Sequence, residues 1–313
     1  MTIQQLQYIV AIDTHRHFAR AAEACFVTQP TLSSMVKKLE EELGVVLFDR
    51  SKVPVVPTPE GELLVEQARS VLKEVQVLRS MAESAREEEA GELRIGMIPT
   101  LAPYLLPLFL GDLLEKHPAL NITVEELTTE TIIGQLEHGQ LDVGVLATPL
   151  AVPGLREEPL FNERFLLYVS PGEEIGRKRY VLPGDIRPDR LWLLEEGHCL
   201  RSQVMDLCEL RQQGGDGARF SYVSGSIEAL MRMVDAQGGL TIVPELATVG
   251  MTKAQRRRLR EFKAPVPVRE IAMVTWRHSI KGKLLDLLRA KVAAAASAHL
   301  RPVRSPRVLP VNP

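Results

Sequence analysis

The chain has 313 residues, of which 45% are hydrophobic and 25% charged, and its formal net charge is −2. This composition excludes a disordered or polybasic protein, so any contact with nucleic acid must come from a local patch of charge. No apolar run is long enough to cross a bilayer and the N-terminus lacks a signal-peptide pattern, which together predict a cytoplasmic protein without membrane contact.

Residues 1–58 have the pattern of a small helical DNA-binding domain. An apolar stripe predicts a first helix, and the small-residue run Phe18–Cys25 predicts a second. Thr28 and Pro30 suit the cap and the first turn of a third helix, whose apolar residues recur at steps of three and four. Two short helices joined by a tight turn predict a helix-turn-helix, and residues 47–57 predict a β-wing after it.

The polar face of the third helix is the candidate DNA-binding surface. Side chains of these types reach base edges and phosphates when a helix lies in the major groove. The alternative is an ordinary solvated face, because basic and acidic residues balance in this domain. The wing residue Arg50 is predicted to meet a phosphate or the minor groove, or else to form a surface ion pair. The candidates are Gln29, Pro30, Thr31, Ser33, Ser34, Lys37, Lys38 and Arg50.

A long linker helix is predicted over residues 59–90. Seven of its apolar residues are spaced 4, 3, 4, 3, 4 and 3 apart, which is the a/d pattern of a coiled coil. The pattern predicts a homodimer, although a single amphipathic helix could instead pack on its own domain. The residues of this seam are Leu64, Ala68, Val71, Val75, Leu78, Ala82 and Ala85.

From residue 91 the pattern becomes an alternation of strands and helices. It predicts a two-lobed α/β regulatory domain over 91–301, built on mostly parallel sheet, with the second lobe at about 165–266. The proline-rich segment 302–313 is predicted to be a disordered tail. Strand-like runs lie at 93–99, 122–127, 141–146, 165–169, 191–194, 220–223, 240–243 and 271–276, and a last helix at about 280–299.

The cleft between two such lobes is the candidate ligand site, because ligands bind at the carboxyl ends of the strands. Thr100 follows one strand and Cys199 another, so both are candidates for this cleft. Cys199 also stands at a predicted helix start beside His198 and near Arg201, where a helix dipole and cations favour the reactive thiolate. Cys208 is the second thiol nearby, and the alternative is two unrelated buried thiols.

Two further residues are placed in this cleft by their positions in the chain. The hydroxyl of Thr129, at the start of a helix, and Arg269, at the start of the last strand, are candidates for the same cleft as Thr100. The alternative for each is a helix cap or a surface residue. Cys25 lies among alanines and is predicted to be a small buried residue.

The N-terminal motifs resemble those of LysR-type transcription regulators, which have a winged helix-turn-helix. The rest of the chain, to about residue 299, resembles that family's effector domain, which has the fold of periplasmic binding proteins. Within the family the chain is most similar to the peroxide-sensing members. The first likeness rests on FARAA at 18–22, TQPTLS at 28–33 and LEEELGVVLFDR at 39–50, and the second on IPT at 98–100, PYLLP at 103–107, LEEGHCLR at 194–201 with Cys208, and GGLTIVP at 238–244.

The resemblance implies a regulator of oxidative-stress genes, not an enzyme, with neither cofactor nor metal. Its expected partners are promoter DNA, hydrogen peroxide, RNA polymerase and further copies of itself, as a homodimer or a dimer of dimers. Peroxide would oxidise Cys199 to a sulfenic acid that Cys208 converts to a disulfide. Two departures, a glycine-rich stretch at 212–217 and the basic run at 256–260, affect the expected loop geometry.

The cysteine spacing adds a mechanical consequence. If 199–208 is helical in the reduced protein, the two thiols lie about 13.5 Å apart along the axis and on opposite faces. A disulfide requires Cα atoms about 4.4 to 6.8 Å apart, so the helix must unwind before the bridge can form. The altered lobe would then change how dimers associate on DNA. Alternatives are a LysR-type sensor of a small metabolite, a thiol peroxidase and, least favoured without an export signal, a transport binding protein.

Overall fold

The computed structural model shows two compact units, Met1–Glu87 and Glu88–Pro313, each with its own hydrophobic core. Among the described residues no helix has both the length and the apolar character that a bilayer span requires. The residues that the structure describes are 1–84, 91–195, 197–209, 225–276 and 281–311.

The first unit is helical and carries a two-stranded antiparallel sheet. Its elements are α1 Ile3–His15, α2 Phe18–Ala24, α3 Gln29–Leu43, β1 Phe48–Asp49, β2 Val56–Pro57 and α4 Pro59–Ser84. α3 begins where the sequence predicts, because the Thr28 side chain accepts a hydrogen bond from the Thr31 amide. It ends at Gly44, which has the left-handed φ of 72° that glycine adopts without strain. The predicted winged helix-turn-helix and long helix are confirmed.

The core of this unit explains which face of α3 is left outside. Leu32, Val36 and Leu39 are fully buried because their spacing puts them on one side of the helix. They pack in one cluster with residues of α1 and with Val65 and Ala68 of α4. The first half of α4 therefore packs on its own domain, which was one of the two alternatives for this helix.

The second half of α4 leaves predicted seam residues uncovered. The side chains of Val71 and Leu78 are 37% and 69% exposed. Ala85 and the side chain of Ala82 lie outside the described part of the chain. Pairing of two α4 helices thus stays a prediction, and the exposed residues of the seam are the surface that it would use.

The second unit is an α/β domain on one curled sheet. Its elements are β3 Gly91–Met97, α5 Ala102–Lys116, β4 Leu120–Glu126, α6 Thr129–Glu137, β5 Val143–Thr148, β6 Leu155–Val169, β7 Tyr180–Val181, α7 Cys199–Leu207, α8 Ile227–Gln237, β8 Leu240–Pro244, α9 Lys253–Arg256, β9 Leu259–Phe262, β10 Val266–Trp276, α10 Gly282–Ser297 and β11 Pro306–Val308. The strand order is β4-β3-β5-β10-β6-β9-β7, with β8 paired to β6 and β11 to β10.

Two long strands join the lobes of this sheet. The first ten residues of β6 run antiparallel to β10, and residues 165–169 of the same strand pair with β8 and β9. β3, β4 and β5 are mutually parallel, but β10 is antiparallel to both β5 and β6. The sheet is therefore mixed, not mostly parallel, because the chain returns to the first lobe through β10.

One of the predicted strands is absent, and another lies outside the described residues. Residues 191–194 form no strand, and only an isolated bridge joins Leu191 to Leu240. An apolar run of four residues does not distinguish a strand from a buried loop, which is why the prediction was wrong. Residues 220–223 and the glycine-rich stretch at 212–217 lie outside the described residues.

The expectation of a disordered C-terminal tail is wrong. β11 pairs in parallel with the start of β10, and the following residues Leu309 and Val311 are buried at 1% and 6% exposure. Prolines are tolerated at the edge of a sheet, where an amide need not donate to a neighbouring strand. The tail thus covers an edge of the regulatory domain.

Candidate functional site

The site is built around Cys199, the first residue of α7. Its side chain is turned into the domain and the residue is only 6% exposed. Leu200, Val204 and Leu207 of the same helix are buried as well, so α7 is held by an apolar face at helical spacing. The thiol is close enough to Arg269 and Thr129 that both side chains act on its pKa.

Arg269 links the thiol to the end of β3. It lies inside β10, not at the start of that strand as expected, because β10 begins three residues earlier at Val266. Its Nη1 donates to Thr100 Oγ1 at 2.9 Å and its Nη2 to the Thr100 carbonyl oxygen at 3.1 Å. Thr100 is 1% exposed. The structure therefore brings Thr100, Thr129, Cys199 and Arg269 together, although they come from four separate parts of the sequence.

Glu163 completes this arrangement and was missed by sequence reasoning. Its Oε2 accepts from Arg269 Nε at 2.8 Å, its Oε1 accepts from the Leu246 amide at 2.6 Å, and neither Glu163 nor Arg269 is exposed. Burial raises the pKa of Glu163, while the charge of Arg269 and the Leu246 amide act in the opposite direction. A signal was present in the sequence, since Glu163 directly precedes a charged residue and an apolar run within one strand.

The electrostatics of Cys199 differ from expectation. Burial raises the pKa of the Cys199 thiol, and the positive charge of Arg269 and the hydroxyl of Thr129 lower it by less. The expected net lowering is wrong for this conformation because the low-dielectric surroundings penalise the thiolate. The site thus holds a neutral thiol next to a fixed cation.

His198 and Arg201 have other partners. His198 is the cap residue of α7, and its Nε2 lies 3.4 Å from Glu195 Oε1. The Nη1 of Arg201 donates to the Leu194 carbonyl oxygen at 2.7 Å. The cation that acts on the Cys199 thiol is therefore Arg269, which comes from a distant strand.

Two buried hydroxyls in this region make no hydrogen bond of standard geometry to any described residue, those of Thr129 and Tyr104. Burial, followed by the neighbouring carboxylate of Glu228, raises the pKa of Tyr104. A buried hydroxyl whose hydrogen bonding is incomplete destabilises the fold, and a small polar molecule bound beside it can supply the missing bond. Tyr104 was noted in the sequence only as part of a motif.

Cys208 lies at the other end of α7. It is the C-terminal cap residue, half-buried, and burial raises the pKa of its thiol to about 12. Both cysteines are free, and residues 199–207 form the helix that the mechanical argument assumed. Cys25 caps α2 and is half-buried, and burial raises the pKa of its thiol as well. It is thus less buried than expected.

The candidate DNA-binding residues lie on one unit and share one helix and its wing. Arg50 is exposed, and its Nη2 lies 2.7 Å from Glu40 Oε2. This is a surface ion pair, which the sequence offered as the alternative to a DNA contact. Its guanidinium also lies 5.1 Å from the centre of the Phe18 ring. Ser33 is half-buried, and the exposed candidates on α3 are Gln29, Pro30, Thr31, Ser34, Lys37 and Lys38.

The side chains around Cys199 surround its thiol with buried polar groups. Within the described residues there is no group of three or more His, Cys, Asp or Glu side chains that could hold a metal ion. The guanidinium of Arg269 and the hydroxyls of Thr100 and Thr129 give this region of the thiol hydrogen-bonding groups of the kind that bind oxygen atoms. The cation can stabilise negative charge as it develops on sulfur or oxygen.

Both units of the chain match known protein families. Residues 3–62 match the family described as "Bacterial regulatory helix-turn-helix protein, lysR family", and residues 86–296 match "LysR substrate binding domain". The chain is 40% identical over 274 residues to "DNA-binding transcriptional dual regulator OxyR" of Escherichia coli K12, covering 88% of this chain and 89% of that protein. It is 38% identical to the "Hydrogen peroxide-inducible genes activator" of Haemophilus influenzae, covering 88% and 90%.

Solved structures are similar as well. A full-length OxyR variant from Pseudomonas aeruginosa matches with a TM-score of 0.75 and 34% identity, covering 94% of this chain and 98% of that one. A hydrogen peroxide-bound OxyR mutant from Corynebacterium glutamicum matches with a TM-score of 0.61 and 29% identity, covering 98% of each chain.

Proposed function

This chain belongs to the LysR family of bacterial transcription regulators, and we propose that within it the protein is a hydrogen peroxide sensor switched by oxidation of Cys199. The single observation that carries the proposal is the buried Cys199 thiol beside Arg269 and two threonine hydroxyls. Relatives named as hydrogen peroxide-inducible genes activators, at 40% identity over most of both chains, support it.

The proposed reaction consumes one peroxide per disulfide. The thiolate of Cys199 attacks one oxygen of H₂O₂ and the O–O bond breaks, so that sulfur becomes a sulfenic acid. The other oxygen leaves as hydroxide, which takes up the proton lost by the thiol and becomes water. The Cys208 thiol then attacks the sulfenic sulfur, and its proton joins the departing hydroxide as a second water. The peroxide has gained the two electrons that the two sulfur atoms have lost.

The surroundings of the thiol favour this oxidant. H₂O₂ is small and uncharged, so burial hinders its access to the thiol less than it hinders charged or larger reagents. Arg269 lies where it stabilises the negative charge on the attacking sulfur and the leaving oxygen. The hydroxyls of Thr100 and Thr129 can hold the two peroxide oxygens through hydrogen bonds.

The second step requires a large movement of α7. Cys199 and Cys208 occupy the two ends of this helix, and a helix of this length keeps them about 13.5 Å apart. A bridge between them therefore unwinds α7 and removes its buried leucines from their packing. We infer that this change in the second lobe alters the association of the dimer, and with it the spacing of two DNA-bound helix-turn-helix units.

Binding to promoter DNA is assigned to the exposed face of α3 and to the wing. The proposed partners are double-stranded DNA, a second copy of the chain through α4, a dimer of such dimers, and RNA polymerase. Activation and repression are both open to such a regulator, since either follows from where its dimers lie relative to a promoter.

The test compares reduced and peroxide-treated protein. We expect peptide mass spectrometry to find Cys199 linked to Cys208 after treatment, and footprints on promoter DNA to differ between the two states. Cys208→Ser should stop at the sulfenic acid of Cys199, and Cys25→Ser is the matched control that should behave like the wild type. Identical footprints without a disulfide would instead favour a LysR-type sensor of a small metabolite. Steady consumption of peroxide with an added thiol would indicate a thiol peroxidase.

A further inference from the structure

The geometry points to Glu163 as a positioning residue of the peroxide site, which holds the Arg269 guanidinium in the one orientation that serves both Thr100 and Cys199. This inference rests on the proposed reaction of Cys199 with peroxide. Glu163 touches neither the thiol nor, in the proposed reaction, the oxidant, and it acts only through Arg269.

The pairing of the two residues is set by strand register. Glu163 of β6 and Arg269 of β10 are direct partners in the antiparallel ladder. One carboxylate oxygen accepts from Arg269 Nε at 2.8 Å, and the other accepts from the Leu246 amide at 2.6 Å. Because Leu246 belongs to a short helical turn after β8, the carboxylate is fixed from two sides.

The remaining N–H groups of Arg269 also have specific acceptors. Arginine presents five N–H groups in a planar fork, so fixing the Nε edge fixes the direction of the rest. Nη1 donates to Thr100 Oγ1 at 2.9 Å and Nη2 donates to the Thr100 carbonyl oxygen at 3.1 Å. Since Thr100 Oγ1 accepts that hydrogen bond, its own hydrogen remains available for an oxygen atom bound next to the thiol.

A purely structural role predicts a different outcome. Glu163 would then only neutralise a buried charge, and its own negative charge would disfavour the nearby Cys199 thiolate. Removing that charge would lower the pKa of Cys199 and speed its reactions. If Glu163 positions Arg269, its removal frees the guanidinium to turn away from the thiol, so that the pKa of Cys199 rises and the peroxide reaction slows.

The chain contains a matched control in the neighbouring buried ion pair. The side chain of Glu245 is 6% exposed, and its carboxylate lies 2.6 Å from Nη2 of Arg164. Arg164 follows Glu163 directly in β6, but neither Glu245 nor Arg164 shares a hydrogen bond with Arg269 or Thr100 among the described residues. Glu245→Gln therefore removes a comparable charge from the same region without releasing Arg269.

The experiment uses the full-length reduced protein and two reactions of Cys199. One is oxidation by H₂O₂, and the other is alkylation by iodoacetamide across the pH range in which thiols titrate. Glutamine at position 163 has one acceptor oxygen where two are needed, so Arg269 Nε or the Leu246 amide loses its partner. We expect Glu163→Gln to slow oxidation by about tenfold or more and to move the alkylation midpoint to higher pH. Glu245→Gln should change the oxidation rate by less than about twofold and leave the alkylation midpoint where it is in the wild type.

Glu163→Asp serves if the glutamine variant does not fold. It keeps the charge and shortens the side chain by one methylene, so it should also slow oxidation, although a role in neutralisation alone would leave the rate unchanged. Wild-type oxidation rates in Glu163→Gln and Glu163→Asp, or an alkylation midpoint that moves to lower pH, would overturn the inference. If wild-type Cys199 does not react with peroxide, the proposed function fails, and the alkylation midpoint alone still decides whether Glu163 positions Arg269.

Discussion

Cys199 and Cys208 occupy different surroundings, which suits each to a different task in the proposed switch. Cys199 is buried beside a cation, whereas Cys208 is half-buried among apolar residues, where only burial acts on its pKa. A thiol that stays neutral is a poor nucleophile. Arg269 offsets part of the burial penalty at Cys199, but burial alone acts on Cys208, so in the proposed reaction Cys208 becomes an effective nucleophile only once α7 has unwound and exposed it.

The pKa of Cys208 predicts an alkaline loss of stability. Burial raises this pKa from 9.0 in a free thiol to about 12 in the folded chain. The contribution of the neutral thiol to stability is thus complete below the unfolded pKa, and it declines as pH rises from there toward the folded value. We expect Tm of the reduced protein to fall less steeply above about pH 9 in Cys208→Ala than in the wild type. Parallel Tm curves for the two proteins across that range would contradict the prediction.

At the scale of elements, the C-terminal strand and α7 are connected. Gln203 of α7 is fully buried, and its Nε2 donates to the Leu309 carbonyl oxygen at 3.2 Å. The Leu309 amide in turn donates to the Val268 carbonyl oxygen of β10 at 2.9 Å. The tail thus bridges the strand that carries Arg269 and the helix that begins at Cys199.

Two neighbouring residues of the tail test its contribution to stability. Leu309 is 1% exposed and Val308 is 43% exposed. We expect Leu309→Ala to lower the free energy of unfolding by about 2–4 kcal/mol, because it leaves a cavity in a packed cluster. Val308→Ala should cost less than about 0.5 kcal/mol. Urea unfolding of the two variants measures the difference, and equal values would mean that the tail is not packed as described.

The linker helix α4 offers a second test at this scale. Val71 belongs to the predicted seam, whereas Leu63 is 70% exposed and lies outside that seam. Val71→Lys places a charge at the proposed dimer contact and should shift the protein toward monomer in sedimentation at micromolar concentration. Leu63→Lys is the matched control and should sediment like the wild type. A monomeric wild-type protein would exclude pairing through α4 under these conditions.

At the scale of the whole molecule, the net charge does not favour attraction to DNA. The formal net charge is −2, so DNA binding must rely on the few basic side chains that reach the backbone. Lys37 lies 3.8 Å from Glu41 across one turn of α3, and both side chains are exposed. Lys38, in contrast, forms no ion pair with any of the described residues. Lys38 is thus the better candidate for a phosphate contact.

Salt dependence measures that contact. Each phosphate neutralised contributes about 0.9 to the slope of log affinity against log salt concentration. Lys38→Ala should therefore weaken DNA binding on all sequences and flatten the slope by about 0.9. Lys253→Ala, at an exposed residue of α9 in the other unit, is the control and should leave the slope unchanged. An unchanged slope in Lys38→Ala would remove Lys38 from the DNA contacts.

The sequence by itself determined the parts of this protein that depend on local rules. The cap at Thr28, the proline after it, Gly44 and the apolar steps of three and four place α3 and its outward face, because a helix is specified by its own residues. The distance between Cys199 and Cys208 follows in the same way, once the segment is helical. The C-terminal tail was mispredicted, since its strand exists only because β10 offers an unpaired edge.

Only the tertiary structure decided what surrounds the thiol. Glu163 and Arg269 are 106 residues apart in sequence and meet because β6 and β10 are aligned in that register. His198 and Arg201, the neighbours that the sequence favoured, instead place one nitrogen each against Glu195 and the Leu194 carbonyl oxygen. The pKa of a buried group depends on every charge and dipole packed around it, and sequence proximity reveals few of them.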